Sequence, residues 1–206
     1  YGRDLSCVDA IAFAGVVPQL TREWEGVAKQ LGSAFLAIGR DTAAVTSVKA
    51  DNPLEVGADR IANAAAAKAK YPLPAIVVDL GTATTFDCIS KDGEYLGGAI
   101  CPGVGISLEA LFARASKLPR VSLEDPGTPI GTNTVQSIQA GIIYGTAGEV
   151  DAIVRAIKKE MEGDPIVIAT GGMSRPIAAH CATVDVIDEL LTLEGVRILY
   201  ERNKDR

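Results

Sequence analysis

Ala75-Ile76-Val77-Val78-Asp79-Leu80-Gly81-Thr82-Ala83-Thr84-Thr85 is the stretch whose reading decides the fold. An unbroken apolar run rich in β-branched residues from Ala75 to Val78 suits a buried strand covered on both faces. The strand ends in an acid. Asp79 stands where the strand gives way to Gly81, and Thr82, Thr84 and Thr85 follow, so backbone N–H groups and hydroxyls are presented beside a fixed carboxylate. This is phosphate-handling chemistry: Gly81 lets the backbone approach a ligand, the N–H groups can cradle an anion, and Asp79 can hold a cation that neutralises phosphate charge. The same pattern also fits an ordinary strand-turn with Asp and Thr as turn formers.

The chain around this stretch is an acidic globular one. Its 206 residues are enough for one large domain or two small ones, and 48% hydrophobic content supplies a packed core. A formal net charge of -6 argues against nucleic acid or an anionic membrane as partner, since both select clustered Lys and Arg, and points to a small-molecule substrate. No apolar run reaches the ~18 residues of a membrane span, and the opening Y-G-R-D-L-S-C has no signal-peptide pattern, so a cytoplasmic location is expected. Cys7, Cys88, Cys101 and Cys181 are scattered without a C-x-x-C pair and read as reduced, mostly buried thiols. His180, the single histidine, sits in an apolar-rich helical stretch and reads as structural.

Ahead of the organising strand, Ile11 to Val17 reads as a strand and Gln19 to Leu31 as an amphipathic helix. Its face is Leu20, Trp24, Val27 and Leu31, with Trp24 expected in the core. Ala34 to Ile38 is a further strand. D-N-P-L-E-V-G-A-D-R then leads into an Ala-rich helix from Ile61 to Lys70, which puts Gly57, Asp59 and Arg60 near a helix start. Main-chain donors, a carboxylate and a guanidinium there suit a small acidic or hydroxylated substrate, or equally a helix-dipole acid and a surface salt bridge. Tyr71 to Pro74 is the linker, dividing a first domain (1–73) from a second (74–206).

Beyond the organising strand, Thr84 to Ser90 and Tyr95 to Cys101 form an antiparallel meander about a Lys91-Asp92-Gly93 turn. Gly103 and Gly105 lie ahead of a helix from Leu108 to Ser116, and a long helix runs from Val135 to about Glu162. Gly141, Gly145 and Gly148 bare one face of that long helix, which predicts close packing on another helix in this chain or in a second copy. Pro165 to Thr170 is a buried strand ending in Gly171-Gly172, suited to a flat group lying against bare backbone. A helix from Ser174 to Cys181, a strand from Val184 to Ile187 and a closing helix through Tyr200 complete the chain.

Taken in order, D-N-P-L-E-V-G-A-D-R (Asp51 to Arg60), D-L-G-T-A-T-T (Asp79 to Thr85), G-G-A-I-C-P-G-V-G-I-S (Gly97 to Ser107) and K-L-P-R (Lys117 to Arg120) resemble type III pantothenate kinases. So do G-T-N-T (Gly131 to Thr134), A-T-G-G (Ala169 to Gly172) and L-T-L-E-G-V-R-I-L-Y-E-R-N (Leu191 to Asn203). The resemblance implies the α/β fold of the actin, hexokinase and Hsp70-like ATPases, two ribonuclease H-like domains with mixed sheets flanked by helices. It implies transfer of the ATP γ-phosphate to pantothenate, with Mg2+ and a monovalent cation, potassium or ammonium, in a homodimer whose substrate site lies at the dimer contact. By the same resemblance Gly57, Ala58, Asp59 and Arg60 line the pantothenate site, Asp59 accepts the hydroxyl proton and Thr134 contacts substrate from the other side. Asp79 binds the monovalent cation, Gly81 and Thr82 meet ATP phosphate, and Gly171 and Gly172 lie against the adenosine.

The chain departs from the family pattern in two places. Ala50 stands where an aromatic residue usually precedes D-N-P, which alters the expected pantothenate pocket. No D-x-G-N-T phosphate loop precedes Leu5, so the first domain is expected to lack its N-terminal strand, to be poorly stable in its first half and to bind Mg-ATP weakly. The alternative reading is a nucleotide-binding accessory regulator of transcription without kinase activity; Asp59, Asp79 and Thr134 and the lack of a basic patch speak against it. Another kinase or ATPase of the same superfamily is a third reading.

Overall fold

A computed structural model describes residues 5, 7–15, 17–39, 42 and 47–204. The opening Tyr1-Gly2-Arg3, expected as a loop or helix end, lies outside the described residues. The organising stretch is strand β3 (Ala75–Leu80), counting β1 (Ala10–Phe13) and β2 (Ala34–Ala37) before it. After it come β4 (Ala83–Ile89), β5 (Tyr95–Pro102), β6 (Ile166–Thr170) and β7 (Val186–Ile187). The last five form one mixed sheet in the order β5-β4-β3-β6-β7, so β3 is central. It runs antiparallel to β4 and parallel to β6, with Asp79 opposite both Thr85 and Thr170.

Burial on both faces of β3 follows from its composition. Ala75 and Val77 face α2 (Ala58–Lys70) and α6 (Leu191–Asn203), where Ala64, Ala66, Ala67 and Leu191 cover them. Ile76, Val78 and Leu80 face the other way, into a core built by α3 (Val104–Arg114), α4 (Thr134–Glu160) and the short α5 (Ser174–Ala178). The alternation of strand side chains therefore assigns Asp79 to the α2 face. Alanine dominates α2 because α6 crosses it closely: a Cβ at Gly195 would collide with the backbone of Ala62. The helix α6 carries Gly195 in its interior and runs on past Tyr200 to Asn203.

The strands β1 and β2 pair in parallel around α1 (Pro18–Leu31). Among the described residues they pair only with each other. Leu36, Ile38 and Ala14 pack on Ile61, Ala62 and Leu199, so α2 and α6 lie between this small sheet and the larger one. Two strands cannot cover a whole helix face, and this corrects the expectation for Trp24. It is 44% exposed, as is Leu20, and its indole stacks on Phe13 with ring centroids 6.4 Å apart.

Smaller differences have local causes. The first strand stops at Phe13, and Val16 lies outside the described residues. The helix α3 begins at Val104, four residues earlier than its apolar spacing suggests, because extended Gly103 is its N-cap and Gly105 falls in the first turn. The helix α5 ends at Ala178; His180 just beyond it contacts Asp125 at 2.8 Å and lies against the Tyr144 ring, the structural role expected. Of the cysteines only Cys88 is buried, Cys101 and Cys181 are half-buried, and Cys7 is exposed, which corrects the expectation of mostly buried thiols.

Candidate active site

The carboxyl ends of the parallel strands β3 and β6 form one edge, the place where open α/β sheets bind ligands. Three turns meet there. The turn after β3 is closed by a hydrogen bond from the Gly81 N–H to the Ala83 carbonyl (3.1 Å). The turn after β6 is tied to β3 by the Met173 N–H donating to the Leu80 carbonyl (3.1 Å). Gly103, the N-cap of α3, lies so close to the Gly81-Thr82 backbone that any Cβ there would strike it. Gly171 has φ +90°, and a Cβ at this residue would stand 2.6 Å from Asp79 Oδ1. Glycine is required at this position both for the left-handed backbone and for the approach to the carboxylate. Around Gly172 the space is open.

The Asp79 carboxylate is the hub of this edge. Asn63, fully buried on α2, donates through Nδ2 to Asp79 Oδ2 (3.3 Å) and to Asp87 Oδ2 (3.2 Å). Thr192 on α6 donates its hydroxyl to Asn63 Oδ1 (2.7 Å). Arg60, on the first turn of α2, donates to the Tyr95 hydroxyl (3.0 Å) and the Ala99 carbonyl (3.4 Å), and lies 3.8 Å from Asp87 Oδ1. Tyr95 donates in turn to Asp87 Oδ1 (3.3 Å).

Burial is the main cause of the shifted acidities. It pushes Asp79 up, against the opposing Asn63 hydrogen bond, and nearby Asp59 adds to the rise while Arg60 opposes it. Burial likewise pushes Asp87 up to about 6, although Arg60 and Asn63 favour its charged form. Arg60 is raised: burial works against its charge, but Asp87 and the Tyr95 hydroxyl outweigh it. Two buried hydroxyls, Thr84 Oγ1 and Thr170 Oγ1, have no hydrogen-bond partner. In the register above, Thr170 lies beside Asp79 on the same face.

Gly57 caps α2, Ala58 opens it, and Asp59 and Arg60 occupy its first turn, as the sequence suggests. Asp59 is exposed, and its Oδ1 accepts from the Arg60 N–H (2.9 Å). Arg60 and Tyr95 line a cavity of about 240 Å³ together with Ala50, Asn52, Glu55 and Ile100. Ala50 is part of that wall. Thr134 opens α4, on the opposite face of the sheet from α2, and lines a different groove with Leu111, Leu118 and Gly141. Gly81, Thr82, Gly171 and Gly172 gather at the β3/β6 edge.

Sequence reasoning passed over Asn63, Asp87, Tyr95 and Thr192. A signal existed for two of them, since Asn63 interrupts an alanine run and Asp87 sits at an inward position between apolar Phe86 and Cys88.

The raised pKa of Asp87 makes stability depend on pH. Its folded pKa of about 6 exceeds the ordinary 3.8, so the folded state binds more protons than the unfolded one between these values. Its contribution is present below the lower value and is lost as pH rises through the upper one. Relative to Asp87→Asn, the parent should lose on the order of 3 kcal/mol of unfolding free energy between about pH 4 and pH 7. Urea unfolding of both proteins across that range measures this, and a pH-independent difference contradicts it.

Comparison with known proteins narrows what this site belongs to. The family model described as type III pantothenate kinase matches residues 2–156. The type III pantothenate kinase of Moorella thermoacetica is 52% identical over 203 residues, which are 98% of this chain and 80% of that protein. That of Geobacter sulfurreducens is 49% identical, over 99% of this chain and 80% of the relative. In three dimensions a Baf family transcriptional activator from Campylobacter jejuni superposes with a TM-score of 0.58 at 21% identity, covering 93% of this chain and 81% of that one, a likeness of fold alone. With matches of this identity and coverage, the chain belongs to the type III pantothenate kinase family.

Proposed function

We propose that the protein transfers the γ-phosphate of ATP to the terminal hydroxyl of pantothenate, giving 4'-phosphopantothenate, the first step of coenzyme A synthesis. The observation that carries this reading is the convergence, in a chain about half identical to named type III pantothenate kinases, of Asp79, the glycine turns and the Asp59-Arg60 helix start. Phosphoryl transfer asks the protein for positioning and charge stabilisation more than for covalent chemistry.

Pantothenate occupies the cavity beside Arg60, whose guanidinium is held by Tyr95, Ala99 and Asp87 and so presents a fixed positive charge. Gly57 and Ala58 line its approach, and Asp59, exposed at the helix start, takes the proton of the attacking hydroxyl. Thr134 lies in a groove on the opposite face of the sheet, so it would contact substrate from the other side only as a residue of a second copy across the dimer. The ATP phosphates lie over the Gly81-Thr82 turn, near the N-terminus of α3, with the Gly81 N–H closing that turn on Ala83 and Thr82 meeting the phosphates, and the adenosine lies over Gly171 and the open face of Gly172.

A monovalent cation fits beside Asp79. The carboxylate is largely buried, glycines replace side chains next to it, and the unpartnered Thr170 hydroxyl lies alongside. Asp79 and Thr170 would hold potassium or ammonium, which supplies positive charge against the phosphates. Among the described residues no three His, Cys, Asp or Glu side chains gather as a metal site, so Mg2+ would be held chiefly by the ATP phosphates and water.

The protein works as a cytoplasmic homodimer of chains divided at 73/74, with no nucleic-acid or membrane partner. Among the described residues no helix is long and apolar enough to cross a membrane. The dimer contact is the glycine face of α4: a Cβ at Gly141, Gly145 or Gly148 meets nothing within 4 Å in this chain. Gly145→Leu should therefore leave the single chain intact, even gaining up to ~1 kcal/mol of helix propensity, while breaking the dimer. Light scattering of both proteins tests this; a monomeric parent rejects the contact. For the activity itself, ADP release is measured with pantothenate, with a panel of sugars and with no acceptor. Dependence on pantothenate is expected; equal release without acceptor, or with a sugar alone, rejects the reading and favours an ATPase or a different kinase.

A further inference from the structure

We infer that Thr192 and Asn63 are positioning residues that hold the Asp79 carboxylate for its cation, linking α6 to the phosphate edge through a single buried carboxamide. The inference rests on the proposed role of Asp79. When ionised, both carboxylates facing Asn63 can only accept, so its Nδ2 points to them, giving one hydrogen to Asp79 and one to Asp87. The amide oxygen then faces Thr192, whose hydroxyl donates to it at 2.7 Å. Every hydrogen-bonding edge of the fully buried Asn63 carboxamide is used, and its orientation is dictated rather than free.

The geometry has a functional corollary. Asn63 satisfies Asp79 Oδ2, while Oδ1 is the oxygen that approaches Gly171 and Gly81, where no side chain intervenes. One carboxylate oxygen is thus anchored inward and the other is directed at the turns proposed to surround the phosphates and cation. If the amide were free to rotate, its oxygen could face the carboxylates, and both acids would lose their donor. Thr192 prevents that rotation from the first turn of α6.

The test compares Thr192→Val, which is isosteric but lacks the donor, with Thr192→Ser, which keeps it, and with Asp79→Asn. Two quantities are read in the full protein: the potassium concentration giving half-maximal activity, and the rise in melting temperature in potassium chloride over sodium chloride. Thr192→Val should raise the half-saturating potassium roughly fivefold, as expected for one lost hydrogen bond, with the pantothenate KM changed less than about twofold. Its potassium-specific melting rise should shrink, and Thr192→Ser should restore both quantities. Equal potassium responses in Thr192→Val and the parent overturn the positioning role, as does a pantothenate KM that worsens in step with the potassium requirement. Should Thr192→Val fail to fold, Thr192→Ala, which also lacks the donor, is read in its place: a raised potassium requirement upholds the role and a parental response overturns it. A potassium-specific melting rise that survives in Asp79→Asn overturns the cation role of Asp79 and this inference with it.

Discussion

Asp59→Asn should lower kcat with pantothenate by roughly 100-fold or more, the range that removal of a general base produces, while leaving the fold and ATP binding in place. The structure makes this a clean substitution. Asp59 is exposed, and its hydrogen bond runs from its own neighbour's N–H to Oδ1, an acceptor that asparagine keeps. It stands close enough to Asp79 to raise that group's pKa, so the negative charge being removed belongs to the same electrostatic unit as the phosphate edge. Steady-state kinetics with circular dichroism on the same samples checks it, and unchanged turnover removes Asp59 from the chemistry.

Asp79→Asn should abolish the potassium or ammonium requirement together with most activity, a loss on the order of 100-fold. Its fold should survive, because the substitution removes a buried charge and not a packing volume, and burial already works against that charge. The measurement is activity in potassium, ammonium and sodium buffers for parent and variant. Full activity of the parent in sodium alone contradicts the assignment.

The central part of this fold was readable because its local signals agree. The apolar run into Asp79, the two strands after it and the Ala-rich helix each carry one period and one set of turn residues, and each appears within three residues of its expected span. Trp24 was misjudged because amphipathic spacing reports which face is apolar and not whether anything covers it; here the covering sheet has two strands. The start of α3 was placed late because glycines that serve as N-cap and first-turn residues look like loop.

At the site, Gly57 to Arg60 and Asp79 to Thr82 were legible because their glycines and acids stand together in sequence. Asn63, Asp87, Tyr95 and Thr192 are joined across as many as 129 positions, and only the α2/α6 crossing brings the last of them to Asn63. The reason for Gly171 was also out of reach. Its neighbour Asp79 Oδ1 is on another strand, and the parallel pairing of β3 with β6 is what creates that contact.

The most direct test of the whole reading is the identity of the product. The protein is incubated with ATP, Mg2+, potassium and pantothenate, and the organic product is examined by mass spectrometry and phosphorus NMR alongside the ADP formed. A phosphomonoester on the terminal primary hydroxyl of pantothenate, equimolar with ADP, is the expected result. ADP formed without any phosphorylated pantothenate, or phosphate carried on another group of the acceptor, would contradict it.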